Sequence, residues 1–336
     1  MTGTIVAELD KVSTAVATRQ GQLPVLEEFD LALRQGETVA VVGESGCGKS
    51  MAALTLMRLL PRGEVDVSCG AVRVAGRDIT TLPDREVARL RGREIAMIFQ
   101  NPMSALNPVM TIGRQLEEAI AVHDPRPRAA LRERALELLR MVAIPDPETR
   151  HGEYPHRLSG GMCQRIAIAM AIACSPQLLI ADEPTTALDV TIQAQMLQLL
   201  QRLKDATGMA MLFITHDLGV VAEMADRVVV MYAGRKVEEA NVADLFARPL
   251  HPYTQGLMAL TLSAGQPRQG RLPEIAGMVP PLGQRPAGCT FAPRCPHAFV
   301  RCREQAPPLA DHGGGHKVAC WRAEQEDDAR VTPLRH

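Results

Sequence analysis

Gly43-Glu44-Ser45-Gly46-Cys47-Gly48-Lys49-Ser50 is the stretch that decides the fold. It fits G-x-x-x-x-G-K-[ST] without a mismatch, after the apolar run Thr38–Val42 and before a helical pattern over 51–60. Strand, glycine-rich turn and helix in that order predict a phosphate-binding loop. Glycines let consecutive backbone N–H groups converge on phosphate oxygens, and the helix start adds the positive end of its dipole. Lys49 is then expected to reach the β- and γ-phosphates, and the Ser50 hydroxyl to bind Mg²⁺. Without its flanks the octapeptide would be only a glycine-rich turn.

Working outward, four more buried strands are expected: 94–99, Leu178–Asp182, 209–215 and Arg227–Tyr232. With the helical patterns between them they read as a parallel α/β sheet. In such sheets ligands gather at the carboxyl ends of the strands, so the residues just there matter. Leu178–Asp182 ends in Asp182 and Glu183. Asp182 is placed to hold Mg²⁺ through water, and Glu183 to orient an attacking water or take its proton. Gln100 ends the run 94–99, and His216 follows 209–215 with Asp217 beside it. Taken singly, Gln100 is weak evidence and His216 is as well read as a surface or helix-capping histidine. Their weight comes from four strands ending in polar groups of the right kind.

A second anion-binding helix start is written in Leu158-Ser159-Gly160-Gly161-Met162-Cys163-Gln164, which opens an apolar helix over about 162–174. Ser159 is a natural N-cap, and Gly160 and Gly161 leave backbone N–H groups bare. Ile192, Met196, Leu197, Leu199, Leu200 and Leu203 form the apolar face of another helix, stopped by Gly208. The stretch 101–160 has no strand pattern and reads as a helical insertion.

The 336 residues suggest roughly two domains at about 150 each, with a boundary near residue 240. Half of the 24 prolines fall in 245–336, whereas 1–240 carries the α/β pattern. Lys and Arg number 37 against 38 Asp and Glu, a balance that offers no basic field for nucleic acid. With one Trp, three Tyr and six Phe, a base-stacking platform is not expected. No apolar run nears the roughly 18 residues that span a bilayer. Glu8, Asp10 and Lys11 stand where a signal peptide would need an apolar core, so a soluble, intracellular protein is expected. No heptad run or internal repeat is present.

Together these motifs make the chain resemble the ATP-binding cassette (ABC) family. The matches are the Walker A loop 43–50, Gln100 of the Q-loop, the signature 158–164, and the Walker B strand with Glu183. Ala187-Leu188-Asp189 as D-loop and His216 as switch histidine complete the set. The resemblance covers about residues 4–240 and implies a RecA-like P-loop core with a helical signature subdomain over 101–160. It further implies a head-to-tail dimer that sandwiches two ATP molecules, each between one chain's Walker A and the other's signature. Ser159 and Gly161 would then contact the γ-phosphate, with Gly160 and Asp189 nearby, and the intact Glu183 implies hydrolysis. One departure is that the first strand region, residues 11–16, lacks the aromatic that usually stacks on adenine. Phe29 alternates with Leu31 and Leu33 and reads as core.

Within that family, residues 101–108, His251-Pro252-Tyr253-Thr254 and a late cysteine group resemble the ATPase subunits of oligopeptide and dipeptide importers. The resemblance implies two membrane-spanning permease subunits, a paralogous ATPase or second copy, and an extracytoplasmic binding protein acting indirectly. It also implies peripheral attachment at the cytoplasmic face of the cell membrane. Related systems carrying nickel chelates, glutathione or another small solute are an alternative. A soluble ABC ATPase acting on nucleic acid or ribosomes, or a metal-cluster regulator with a degenerate cassette, are readings of other classes. Intact Lys49, Asp182, Glu183 and His216 speak against the last.

Residues 241–336 form the extension. Its Cys289, Cys295, Cys302 and Cys320 follow C-x₅-C-x₆-C-x₁₇-C. Four soft thiolates in a proline-rich, poorly apolar tail suit a metal that folds it. The spacing matches neither usual zinc pairs nor common ferredoxin patterns, leaving zinc and iron–sulfur both open. The family resemblance implies a [4Fe–4S] cluster, while His297, His312 and His316 keep zinc in view.

Overall fold

The structure, a computed structural model, describes residues 3–19, 21–61, 63–101, 105–185, 189–263 and 274–324. Its centre is an eight-stranded sheet. β3 (Thr38–Val42), β6 (Ile95–Ile98), β7 (Leu178–Asp182), β8 (Ala210–Thr215) and β9 (Arg227–Tyr232) are parallel, in the order β9-β3-β8-β7-β6. Every residue of β3, β6, β7 and β8 is buried, as continuous apolar strands covered on both faces must be. The runs read from sequence stand where expected, two of them shorter by a residue or two at the ends. Because the strands are parallel, the loops after β3, β6, β7 and β8 emerge along one edge.

A second sheet was not foreseen. β1 (Ile5–Thr18), β2 (Gly21–Arg34), β4 (Val65–Val74) and β5 (Arg77–Asp78) are antiparallel, in the order β2-β1-β4-β5. Phe29, Leu31 and Leu33 point from β2 into its core, and Phe29 is fully buried. Phe29 is therefore a core residue, as its alternation suggested.

The helices on the sheets begin with α1 (Lys49–Leu56) after the glycine-rich loop and α2 (Asp84–Leu90). Beyond β6 the chain is helical, as expected: α3 (Ile112–Ala121), α4 (Arg128–Met141), α5 (Pro147–Arg150) and α6 (Gly160–Ala171). Ile112, Leu116, Leu138, Leu139, Ile166 and Ile168 pack this subdomain into one core with β6 and β7. α7 (Val190–Thr207) buries Met196, Leu197, Leu199, Leu200 and Leu203 and ends at Gly208 in the left-handed region, φ 67°. Ile192, at its first turn, is only half-buried. α8 (Leu218–Met224) starts at Asp217, whose carboxylate accepts from the N–H of Gly219 and Val220.

The described residues beyond 240 pack against the central sheet. β10 (Arg235–Asn241) pairs antiparallel with both β9 and β12 (Lys317–Val318), and β11 (Ala310–Asp311) completes the sheet. α9 (Val242–Ala247), α10 (Pro252–Ser263) and α11 (Val300–Glu304) are helices of this part of the chain. The sequence suggested that the tail lacks an adequate core; it shares one with the sheet instead. Tyr253 and Phe291 are buried against Tyr232, with ring centroids 4.8 to 5.4 Å apart. Burial of each such ring contributes about 1.5–3 kcal/mol. Glu238, fully buried on β10, accepts from the N–H of Leu250 and His251 and from Nε2 of His316 at 2.7 Å. That one carboxylate ties β10 to two segments of the extension. Among the described residues no helix is long and apolar enough to cross a membrane.

Candidate functional site

Gly43, Gly46 and Gly48 have φ of 153°, 79° and 107°. At Gly43 the requirement is also one of space, since a Cβ would run into the carbonyl oxygen of Met231 and Sγ of Cys47. Lys49 is buried, its Nζ donating to the carbonyls of Gly43 (2.7 Å) and Glu44 (3.1 Å), which folds the ammonium back over the loop. Ser45, Gly46 and Ser50 remain exposed. Cys47 is buried, and desolvation pushes its thiol pKa up despite the nearby Lys49 ammonium, so it serves packing.

Ser50 Oγ donates to Oδ1 of Asp182 at 3.2 Å, joining the start of α1 to the end of β7. Burial raises the Asp182 pKa, with Glu183 adding repulsion against the relief from Ser50. An oxygen pair of this kind suits a hard divalent cation. Glu183 adopts φ 47°, a left-handed conformation that a non-glycine residue keeps only under constraint, while its N–H donates to the carbonyl of Ile214. Its carboxylate has a neighbour on either side. Gln100 Nε2 donates to Oε2 at 2.8 Å, and His216 Nδ1 lies 3.6 Å from Oε1. The His216 side chain is 64% exposed, so it is free to meet a ligand rather than locked in the core. Ser50, Asp182, Glu183, Gln100 and His216, expected at one edge, form one contiguous chain of contacts there.

The second helix start has the cap that its sequence calls for. Ser159 Oγ accepts from the N–H of Met162 at 3.3 Å, and Ser159 and Gly160 are exposed. A Cβ at Gly160 would meet nothing within 4 Å, so this surface is open to a second body. Asp189 caps α7 by accepting from the N–H of Ile192 at 2.9 Å. Ala187 and Leu188 of the expected D-loop lie outside the described residues, as do Pro102, Met103 and Ser104. Gln164, buried on α6, was not singled out by sequence. Its Nε2 donates to the carbonyl of Pro184, so the signature helix is fastened to the residue after Glu183.

Two further residues on the loop came from the extension. Tyr253 Oη accepts from the N–H of Glu44 at 2.7 Å, and Arg294 grips the Glu44 carboxylate. Nothing about Arg294 in sequence pointed to the loop, 250 residues away. Tyr253 was visible only within a recurring four-residue string.

Cys289, Cys295, Cys302 and Cys320 line one small apolar cavity of about 20 Å³, with His297 and Trp321 also at its wall. Burial pushes the Cys289 thiol up to about 11, and nearby Cys320 and Cys302 add to it, a mark of how the sulfurs crowd together. No group of three or more His, Cys, Asp or Glu among the described residues stands as a ready-made metal-holding set. His316 is committed to Glu238.

Comparison with known proteins agrees with this geometry. The family model described as ABC transporter matches residues 26–186, and the one described as Oligopeptide/dipeptide transporter, C-terminal region, matches 237–302. The chain is similar to the Probable peptide ABC transporter ATP-binding protein y4tR of Sinorhizobium fredii, 56% identical over 87% of this chain and 88% of that protein. It is likewise similar to the Oligopeptide transport ATP-binding protein AppD of Bacillus subtilis, 46% identical over 95% of this chain and 97% of the relative. Among solved structures it resembles the ATP-binding cassette MJ0796 bound to ADP and Pi, a dimeric post-hydrolysis state. That match has a TM-score of 0.63 and 28% identity, over 70% of this chain and 98% of the other.

Proposed function

This chain belongs to the oligopeptide/dipeptide branch of ABC transporter ATP-binding subunits, and on that premise we propose that it hydrolyses ATP to drive uptake of di- and oligopeptides through a membrane importer. The observation that carries the reading is the Glu183 carboxylate, bonded to Gln100 and close to His216 beside the Ser50–Asp182 pair. A carboxylate so placed orients a water for attack on the γ-phosphate and takes up its proton.

Residues 1–240 act as the nucleotide-binding domain, with 101–160 as its helical signature part, and 241–336 as the extension. Backbone N–H groups from Gly43 through Gly48 cradle the phosphates, and Lys49 swings from its carbonyl partners to the β- and γ-phosphates. Ser50 and Asp182, with Gln100, are the residues to hold Mg²⁺, which when bound offsets phosphate charge. His216 donates to the γ-phosphate. Ser159, Gly160, Gly161 and Asp189 serve the ATP held by a second ATPase, either a paralogue or another copy; the exposure of Ser159, Gly160 and Asp189 supports that division. The solute is selected elsewhere, by two membrane-spanning permease subunits and an extracytoplasmic binding protein. The chain sits peripherally at the cytoplasmic face of the membrane.

Cys289, Cys295, Cys302 and Cys320 hold a [4Fe–4S] cluster that staples the extension; the support is their convergence on one cavity. Anaerobically purified protein is expected to be brown, with about four iron and four sulfide per chain. Stoichiometric zinc without iron would replace this assignment. The function itself is tested by reconstituting the chain with its permease subunits in proteoliposomes and following entry of a labelled peptide. ATP-dependent entry supports it. Entry of a nickel chelate or glutathione, but of no peptide, would move the assignment to another solute.

A further inference from the structure

We propose that Arg294 and Tyr253, both from the extension, are positioning residues of the nucleotide-binding loop. They hold Glu44 and cancel a carboxylate that would otherwise repel the triphosphate. The inference rests on the assignment of residues 43–50 to nucleotide binding.

The geometry around Arg294 is complete. Nη1 donates to Oε2 of Glu44 (2.7 Å) and to Oη of Tyr232 (3.4 Å), and Nη2 donates to Oε1 of Glu44 (3.0 Å) and the carbonyl of Ile275 (2.9 Å). Nε donates to the carbonyl of Ala276 at 2.9 Å. Every donor direction of the guanidinium is therefore used, and the side chain is only 5% exposed. A guanidinium this constrained presents one fixed fork to Glu44, a geometry that lysine cannot copy.

Glu44 is the second residue of a loop whose N–H groups face a polyanion. Its carboxylate lies a few residues from Lys49, where an unpaired negative charge opposes triphosphate binding. The bidentate pair removes that opposition. Tyr253 works on the backbone of the same residue, since its Oη accepts the Glu44 N–H and so fixes the peptide plane leaving Gly43. The Tyr253 ring is fully buried against Tyr232 and Phe291, which leaves the hydroxyl no freedom to drift. A third tie, from Gly234 N–H to the Cys47 carbonyl at 2.8 Å, closes the other end of the loop. The loop is thus braced by the far end of the chain and not by its own helix alone.

The test is binding of a fluorescent ATP analogue with Mg²⁺ to the purified full-length chain. Arg294→Met should weaken binding about tenfold. Adding Glu44→Gln to Arg294→Met should restore it to within about threefold of the original, because the uncompensated charge is gone. A merely structural arginine would not be rescued in this way. Unchanged binding in Arg294→Met, or a double variant no better than the single, overturns the proposal. Should Arg294→Met fail to fold, Tyr253→Phe decides the matter: it keeps the ring in place and deletes the acceptor. Weakened binding supports the brace and unaltered binding refutes it. Lys49→Ala tests the underlying assignment separately, since loss of binding there with none in the other variants would sink only the brace.

Discussion

Gln100 and Glu183 sit on neighbouring parallel strand ends, and the amide of the first donates to the carboxylate of the second at 2.8 Å. Glu183 is thereby tied to the residue that leads into the helical subdomain. This contact joins the subdomain to the Glu183 carboxylate.

Glu183→Gln should keep ATP binding and slow hydrolysis by about 10²–10⁴-fold, since an amide cannot accept the proton. The trapped ATP should hold two ATPase chains together. Light scattering of the variant with MgATP checks this, with a shift to about twice the mass expected for the variant and only a transient one for the unmodified chain.

Ser159→Ala removes the cap of α6, at a cost of about 1 kcal/mol in stability. Its effect on ATP turnover in the assembled transporter should be far larger if, as proposed, the exposed hydroxyl serves a nucleotide bound by the other chain. Thermal denaturation and steady-state ATPase assays on the same preparation separate the two effects. Equal small losses in both would make Ser159 a cap and nothing more.

Glu239 gives a pH signature for the ion pairs at β9 and β10. Burial pushes its carboxyl up, but Lys236, at 2.6 Å, and Arg227 more than offset this, and its pKa lies below the ordinary 4.5. A carboxylate depressed in the folded state stabilises above its unfolded pKa, and that contribution is lost as pH falls through the folded one. Glu239→Gln should therefore cost about 2 kcal/mol at pH 7. The gap to the unmodified chain should close as pH drops below about 4.5. Denaturant titrations of both proteins at pH 7 and pH 3.5 measure it, and a constant gap would contradict the ion-pair account.

The parallel strands and the residues at their ends were legible because burial on both faces leaves uninterrupted apolar runs that stop at polar residues. The antiparallel sheet was not, and particular residues explain why. Lys11 and Glu28 adopt φ of 47° and 46° within β1 and β2, and register shifts between Leu9 and Val12 and around Thr14 break the two-residue alternation that marks a strand. Pro24 in β2 adds a further disguise. β10 escaped notice for a different reason. Lys236, Glu238 and Glu239 read as solvated yet are buried, each against a partner far away or across a turn. The grip of Arg294 on Glu44 was equally invisible, because it joins residues that only the folded extension brings together.

The most direct measurement is ATP hydrolysis by the chain assembled with its permease subunits, with and without peptide-loaded binding protein, for the unmodified chain and for Glu183→Gln. Stimulation by peptide, abolished by Glu183→Gln, is the expected result. Turnover indifferent to peptide, or retained in Glu183→Gln, would contradict it.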